Sequence, residues 1–220
     1  MPAARVFDDQ GHFPETLFPP GISRCIPYLT SRKVHRYIAH HDADTLLVFT
    51  DGACSNNGRP SPRGGCAFVF APGTSQDNDE GIVSFALEDR GPTGEAHVHT
   101  SNRAELRAVI AALQYRTWSK EGFRSLVIAI DSEYVVKGAT LWINRWMWNG
   151  WRLTDGSSVK NQDLWELLAG AITRQGDSGL DVEFWRIPCG LNVVADSGAK
   201  GAAAQSPHQM NFTVLEHEDE

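Results

Sequence analysis

The chain reads as an α/β protein built on a mixed five-stranded sheet, three antiparallel strands plus two parallel, with helices on both faces. Three observations predict this. The runs Leu46–Thr50, Gly65–Ala71 and Gly81–Glu88 follow one another with only Gly-, Pro-, Ser- and Asn-rich turns between them, as in an antiparallel meander. Helical spacing then begins, with apolar residues at Leu106, Val109, Ile110, Leu113 and Trp118. Beyond it, the compact runs Leu126–Asp131 and Asp181–Ile187 alternate with helical segments. A helix between two strands of one sheet makes them parallel.

Each element has a local reason. Thr100 or Ser101 can cap the helix Asn102–Trp118, which leaves Glu105 near the positive end of its dipole. Tyr134–Ala139 is a short helix, and Trp142–Trp151 an aromatic, partly basic excursion. Asp163–Arg174 is amphipathic, and Val193–Ala204 is a helix of mostly small residues. These elements fill a domain over residues 45–204. Residues 1–44 are rich in Pro and polar residues, including Phe18-Pro-Pro-Gly21, with Tyr28, Tyr37 and Ile38 as scattered anchors. They predict an irregular extension packed on the domain. Residues 205–220 predict a solvated acidic tail.

Composition narrows the class. Of 220 residues 41% are apolar, and no apolar run is long enough to span a bilayer. The N-terminus has no charged-then-apolar leader pattern, and Asp8 and Asp9 argue against a mitochondrial presequence. Cys25, Cys54, Cys66 and Cys189 form no CxxC pair, so a zinc knuckle is not expected, and a reducing compartment, cytoplasm or nucleus, is. The net charge is −7, of which the tail carries −4, residues 1–44 nothing and residues 45–204 carry −3. Without four candidate metal-ligand acids that last figure becomes +1, so a polyanionic partner is not excluded, although electrostatic capture should be weak.

Those four acids are Asp51, Glu105, Asp131 and Asp196. Asp51 and Asp131 end buried apolar runs, while Glu105 and Asp196 lie early in helices. A carboxylate at the end of a buried strand is costly unless it is paired, hydrogen-bonded or bound to a cation. A magnesium site explains four such groups together; separate turn and cap roles are the plainer alternative. His97, His99, His40 and His41 read as loop residues rather than metal ligands, and no Ser lies in a GxSxG setting. Trp165 and Trp185 read as core.

In this order, the strings Asp51-Gly-Ala-Cys, Thr100-Ser-Asn-Arg-Ala-Glu105-Leu, Ile130-Asp131-Ser-Glu-Tyr-Val, Trp146-Met-Trp-Asn-Gly-Trp151 and Val193-Val-Ala-Asp196 resemble type 1 ribonuclease H over about residues 45–204. Trp142–Asn161 is similar to the cellular branch with a substrate-gripping protrusion. Residues 1–44 lack the aromatic and basic pattern of an N-terminal hybrid-binding domain. The resemblance implies a monomeric enzyme that hydrolyses the RNA strand of RNA/DNA hybrids with two Mg²⁺, Mn²⁺ being the alternative. It implies that Asp51 bridges both ions, that Asp196 completes the nucleophile-side site, and that Glu105 and Asp131 serve the other. It further implies minor-groove contacts from Asn57 and Asn102, a DNA-phosphate pocket at Thr100 and Asn161, and a channel at Trp142 and Trp146. Core packing competes with the channel role for the tryptophans of 142–151.

Three departures matter. Glu133 stands where the family often has an amide. Pro188-Cys-Gly-Leu-Asn192 is shorter than the family's Gly-His loop and holds no His, which predicts slow turnover. Met147 and Trp148 replace common lysines, although residues 137–160 still sum to +3. A hybrid-binding protein with little catalysis, and a relative acting on DNA ends or single strands, are the alternative readings.

Overall fold

The computed structural model describes residues 4–22, 35–73 and 81–216. Cys25, Tyr28 and the last three acids of the tail lie outside them. In chain order the strands are β1 (Arg5–Val6), β2 (Pro20–Ile22), β3 (His35–Ile38), β4 (Thr45–Ser55), β5 (Arg63–Val69), β6 (Ile82–Ala86), β7 (Ser125–Ile130) and β8 (Asp181–Arg186). The helices are α1 (Pro14–Leu17), α2 (Ser101–Tyr115), α3 (Glu133–Lys137), α4 (Ile143–Trp148), α5 (Gln162–Asp177) and α6 (Val193–Gln205). A wide π-type turn, Gly138–Trp142, joins α3 to α4.

The predicted mixed sheet is present, with β4, β5 and β6 antiparallel and β4, β7 and β8 parallel. It has eight strands among the described residues rather than five. The other three come from the expected irregular extension, and that expectation is corrected here. β1 joins β8 in parallel, while β3 pairs with the start of β4 and with β2. Arg36 on β3 is buried and gives a two-pronged hydrogen bond to Glu121, at 2.9 and 3.0 Å.

Side chains alternate across the sheet, so Leu46 and Val48 face one side of β4 and Leu47 and Phe49 the other. The first side packs on Leu106, Val109 and Ile110 of α2 and on Leu164, Trp165 and Leu168 of α5. The second holds Val127, Ala129, Trp185 and Phe18, with α6 alongside. As expected, Trp165 and Trp185 are core. α6 can lie flat because it meets glycine: a Cβ on Gly65 would come within 2.3 Å of the backbone at Ala199 and Ala203.

The tail expected to be solvated is mostly exposed over its described residues, but it is docked. Residues 207–216 turn back over the sheet end, with Asp89 and Arg90 donating backbone bonds to Gln209 and Met210. Arg107, fully buried on α2, binds Glu88 and the carbonyl of Thr213, between the rings of Phe85 and Phe212 at 4.8 and 4.5 Å. Phe212 and Leu215, two of the tail's few apolar side chains, pack on the main core. Docking satisfies a buried guanidinium, and the acidic composition concealed it.

Candidate active site

Asp51 does not end its strand. β4 runs on to Ser55, paired with β5, but its parallel pairing with β7 stops at Phe49↔Ala129. Asp51 and Asp131 therefore flank the point where the two central strands part. In open α/β sheets ligands sit beyond the carboxyl ends of the strands. Gly52 lets α2 approach here, since a Cβ at 52 would lie 2.0 Å from the Glu105 nitrogen. Thr100 caps α2 by accepting from the Arg103 N–H at 3.2 Å. On the other face, Asn192 donates to the Thr50 carbonyl at 2.9 Å and fixes the start of α6, which carries Asp196.

Asp51 lies in the fields of Asp131 and Asp196, and Glu105 in those of Asp51 and Asp131. Asp51 is only 5% exposed. Burial, then the charges of Asp131 and Asp196, push its carboxyl up to about 7, against lowering contributions from the Gly52 N–H and Lys200. Burial likewise pushes Glu105 up to about 7; a hydrogen bond from the Ser132 hydroxyl opposes this, and Asp51 and Asp131 add to it. Asp196 is held by Lys200 one helical turn on, at 2.8 Å. Among the described residues no three Asp, Glu, His or Cys side chains close to the spacing of a preformed metal cage. The donor set is nevertheless hard oxygen in character. It suits Mg²⁺, which keeps several waters and takes substrate oxygens, better than a cation needing an all-protein shell.

The other predicted residues divide. Asn57 and Asn102 are exposed, one in the turn after β4 and the other in the first turn of α2. Asn161, in the left-handed region at φ 57°, caps the end of α5 from which Asp163 grips Arg103 at 2.9 and 2.5 Å. Its amide lies 3.4 Å from the Tyr134 hydroxyl. Trp142 is 36% exposed, whereas Trp146 is 8% exposed and packs between Trp142, Trp151 and Trp165. The channel role expected of Trp146 is thus corrected to a support beneath Trp142.

Glu133 is exposed and bound by Lys137, with Arg186 at 3.7 Å; Lys137 first and Arg186 next hold its carboxyl below the usual range. In the shortened loop Cys189 faces Asp131, whose hydrogen bond and charge raise the thiol. A raised thiol is a poorer proton carrier near neutral pH than an imidazole. His99 is buried rather than loosely exposed. It accepts from the Gly64 N–H at 2.9 Å and lies 3.1 Å from Asp89, so the pair His97 and His99 anchors the approach to α2. Sequence reasoning misses Ser132 and Lys200. Their signals are modest: a cap position after Asp131, and an i,i+4 offset from Asp196.

The RNase H family model matches residues 43–182. A ribonuclease H of Treponema pallidum subsp. pallidum is 40% identical over 124 residues, 56% of this chain and 70% of that protein. One from Paracoccus denitrificans is 39% identical over 131 residues, 60% of this chain and 75% of that protein. Among solved structures, LC9-RNase H1, described as a type 1 RNase H with the type 2 active-site motif, is 31% identical with a TM-score of 0.50, covering 72% of both chains. The PFV RNase H domain, 20% identical with a TM-score of 0.51 over 71% of this chain and 93% of that one, shares the fold. By sequence and by fold, this chain belongs to the ribonuclease H family.

Proposed function

We propose that this nuclease is a type 1 enzyme that cuts the RNA strand of RNA/DNA hybrids endonucleolytically, using two Mg²⁺ and leaving 5′-phosphate and 3′-hydroxyl ends. One observation carries the reading. Asp51 is buried and Glu105 half-buried, both are pushed up to about 7, Asp51 in the fields of Asp131 and Asp196 and Glu105 in those of Asp51 and Asp131, and none of the four has an arginine partner among the described residues. Clustered acids of this kind are what a cation site requires.

Asp51, Glu105, Asp131 and Asp196 would hold the ions. Bound there, the ions would make the attacking water more acidic and neutralise charge on the leaving 3′-oxygen. The protein's own part is orientation. Ser132 holds the Glu105 carboxylate, Asn192 fixes the entry to α6, and Gly52 sets the distance from β4 to α2. Asn57 and Asn102 would read RNA 2′-hydroxyls in the minor groove, and Thr100 with Asn161 would seat a DNA phosphate. Trp142, backed by Trp146, would lie against deoxyribose, where a 2′-hydroxyl does not fit.

The test is a labelled hybrid incubated with Mg²⁺ or chelator, alongside Asp51→Asn. Metal-dependent 5′-phosphate products from the unsubstituted protein alone support the reading, whereas equal rates from both proteins defeat it. The thiol at Cys189, where a proton-carrying imidazole is expected, favours a second reading: a hybrid binder of low turnover. Tight binding without product over long incubation would select it.

A further inference from the structure

The outward side of the 138–153 protrusion is unlike the rest of the surface. Trp146 and Ile143 turn inward from α4, and their exposed counterparts are Leu141, Arg145 and Trp148. Spacings of four and three residues set these on one side of the helical segment. Trp148 is 85% exposed. A tryptophan left in water forgoes a large apolar burial, and neither a core contact nor a ring partner holds this one among the described residues. Met147 beside it is exposed as well.

The electrostatics of this surface identify its partner. From residue 134 to 154 the chain has Lys137, Arg145 and Arg152 and no acid, in a protein of net charge −7. Lys137 is engaged by Glu133, but the Arg145 side chain has no partner among the described residues. A flat aromatic face beside an uncommitted guanidinium is complementary to a nucleobase and its phosphate. An apolar protein surface would not call for the cations, and a second copy of this acidic chain would bring its own basic protrusion against them.

We propose that Trp148, with Arg145 beside it, is a stacking platform for unpaired nucleotides flanking the hybrid, so that the preferred substrates are hybrids with single-stranded extensions. This deepens the hybrid-nuclease reading and rests on it. A base stacked on an aromatic side chain gains enough for roughly a tenfold change in affinity. The platform is sequence-tolerant, because every base presents a π face.

The experiment measures Kd in the Asp51→Asn background for a blunt hybrid, for hybrids with DNA or RNA extensions, and for a free single strand. Extended hybrids should bind about tenfold tighter than blunt ones. Trp148→Ala should reduce that ratio to one and weaken single-strand binding, and Trp148→Phe should retain most of both. Equal Kd values for blunt and extended hybrids, or a ratio that survives Trp148→Ala, overturn the proposal. So does a dimer by sedimentation that Trp148→Ala makes monomeric. Cleavage of the blunt hybrid by the unsubstituted protein is scored separately. Its absence defeats the nuclease reading, while the free-strand series still reports on Trp148.

Discussion

Glu88 and Glu121 are as deeply buried as Asp51, and Asp163 nearly so, yet these acids belong to different chemistry. Three of them are gripped by an arginine: Glu88 by Arg107, Glu121 by Arg36 and Asp163 by Arg103. Among the described residues Asp51 and Glu105 have only backbone and hydroxyl donors and a distant lysine, and their neighbouring carboxylates repel them. A buried charge persists only when something offsets its desolvation. In the first group the offset is inside the fold. In the second it is left to whatever binds, so a buried carboxylate without a guanidinium is a better marker of the working end than burial alone.

The contrast can be broken by substitution. Asp51→Asn should lower hybrid cleavage on the order of 10³-fold or more, as loss of a principal electrostatic element does. It should also raise stability in chelator by about 1 kcal/mol, since a repelled charge is removed. Mg²⁺ should raise the melting temperature of the unsubstituted protein more than that of the variant, by differential scanning fluorimetry. The opposite sign is expected in the arginine-paired group. Glu88→Ala strands Arg107 and should cost about 3–5 kcal/mol in urea denaturation. If both substitutions destabilise alike, the two classes of acid are not distinct.

Smaller effects sharpen the same distinction. Phe212→Ala removes one side of the Arg107 sandwich and should cost about 2 kcal/mol. Burial raises the Asp163 carboxyl, but hydrogen bonds and charge from Arg103, with His97, outweigh this and hold it low. A carboxylate depressed on folding contributes stability above its unfolded pKa and loses it as pH falls. Below about pH 4 the unsubstituted protein should therefore lose stability more steeply than Asp163→Asn. Glu133→Gln should be the mildest change, altering KM less than about twofold, because Lys137 and Arg186 already meet that charge at the surface.

The sequence is legible where periodicity is strong. Leu126–Asp131, Asp181–Ile187 and the apolar stripe of α2 lie within a residue or two of their predicted places, except that α2 ends at Tyr115 and Trp118 opens a separate 3-10 turn. β4 reads short in sequence because Ala53-Cys-Ser55 carries no alternation; pairing with β5 alone keeps it extended. β1 and β3 have two and four residues, too few for any period to show. The C-terminal segment reads as solvated because its net charge outweighs the signal of Met210, Phe212 and Leu215. For the four acids, the strings around them are informative because each lies where a regular element meets a turn. Ser132, Asn192 and Lys200 orient their neighbours through single hydrogen bonds or ion pairs, which leave no pattern in one sequence.

The two ends of the chain close opposite margins of the sheet. β1 zips along β8, and Gln209–Met210 bond the backbone just past β6. An open row of amide and carbonyl groups invites intermolecular strand addition. Trimming the protein to residues 45–204 would bare the outer row of β8, and such a fragment should cluster into oligomers on storage even with its catalytic residues intact.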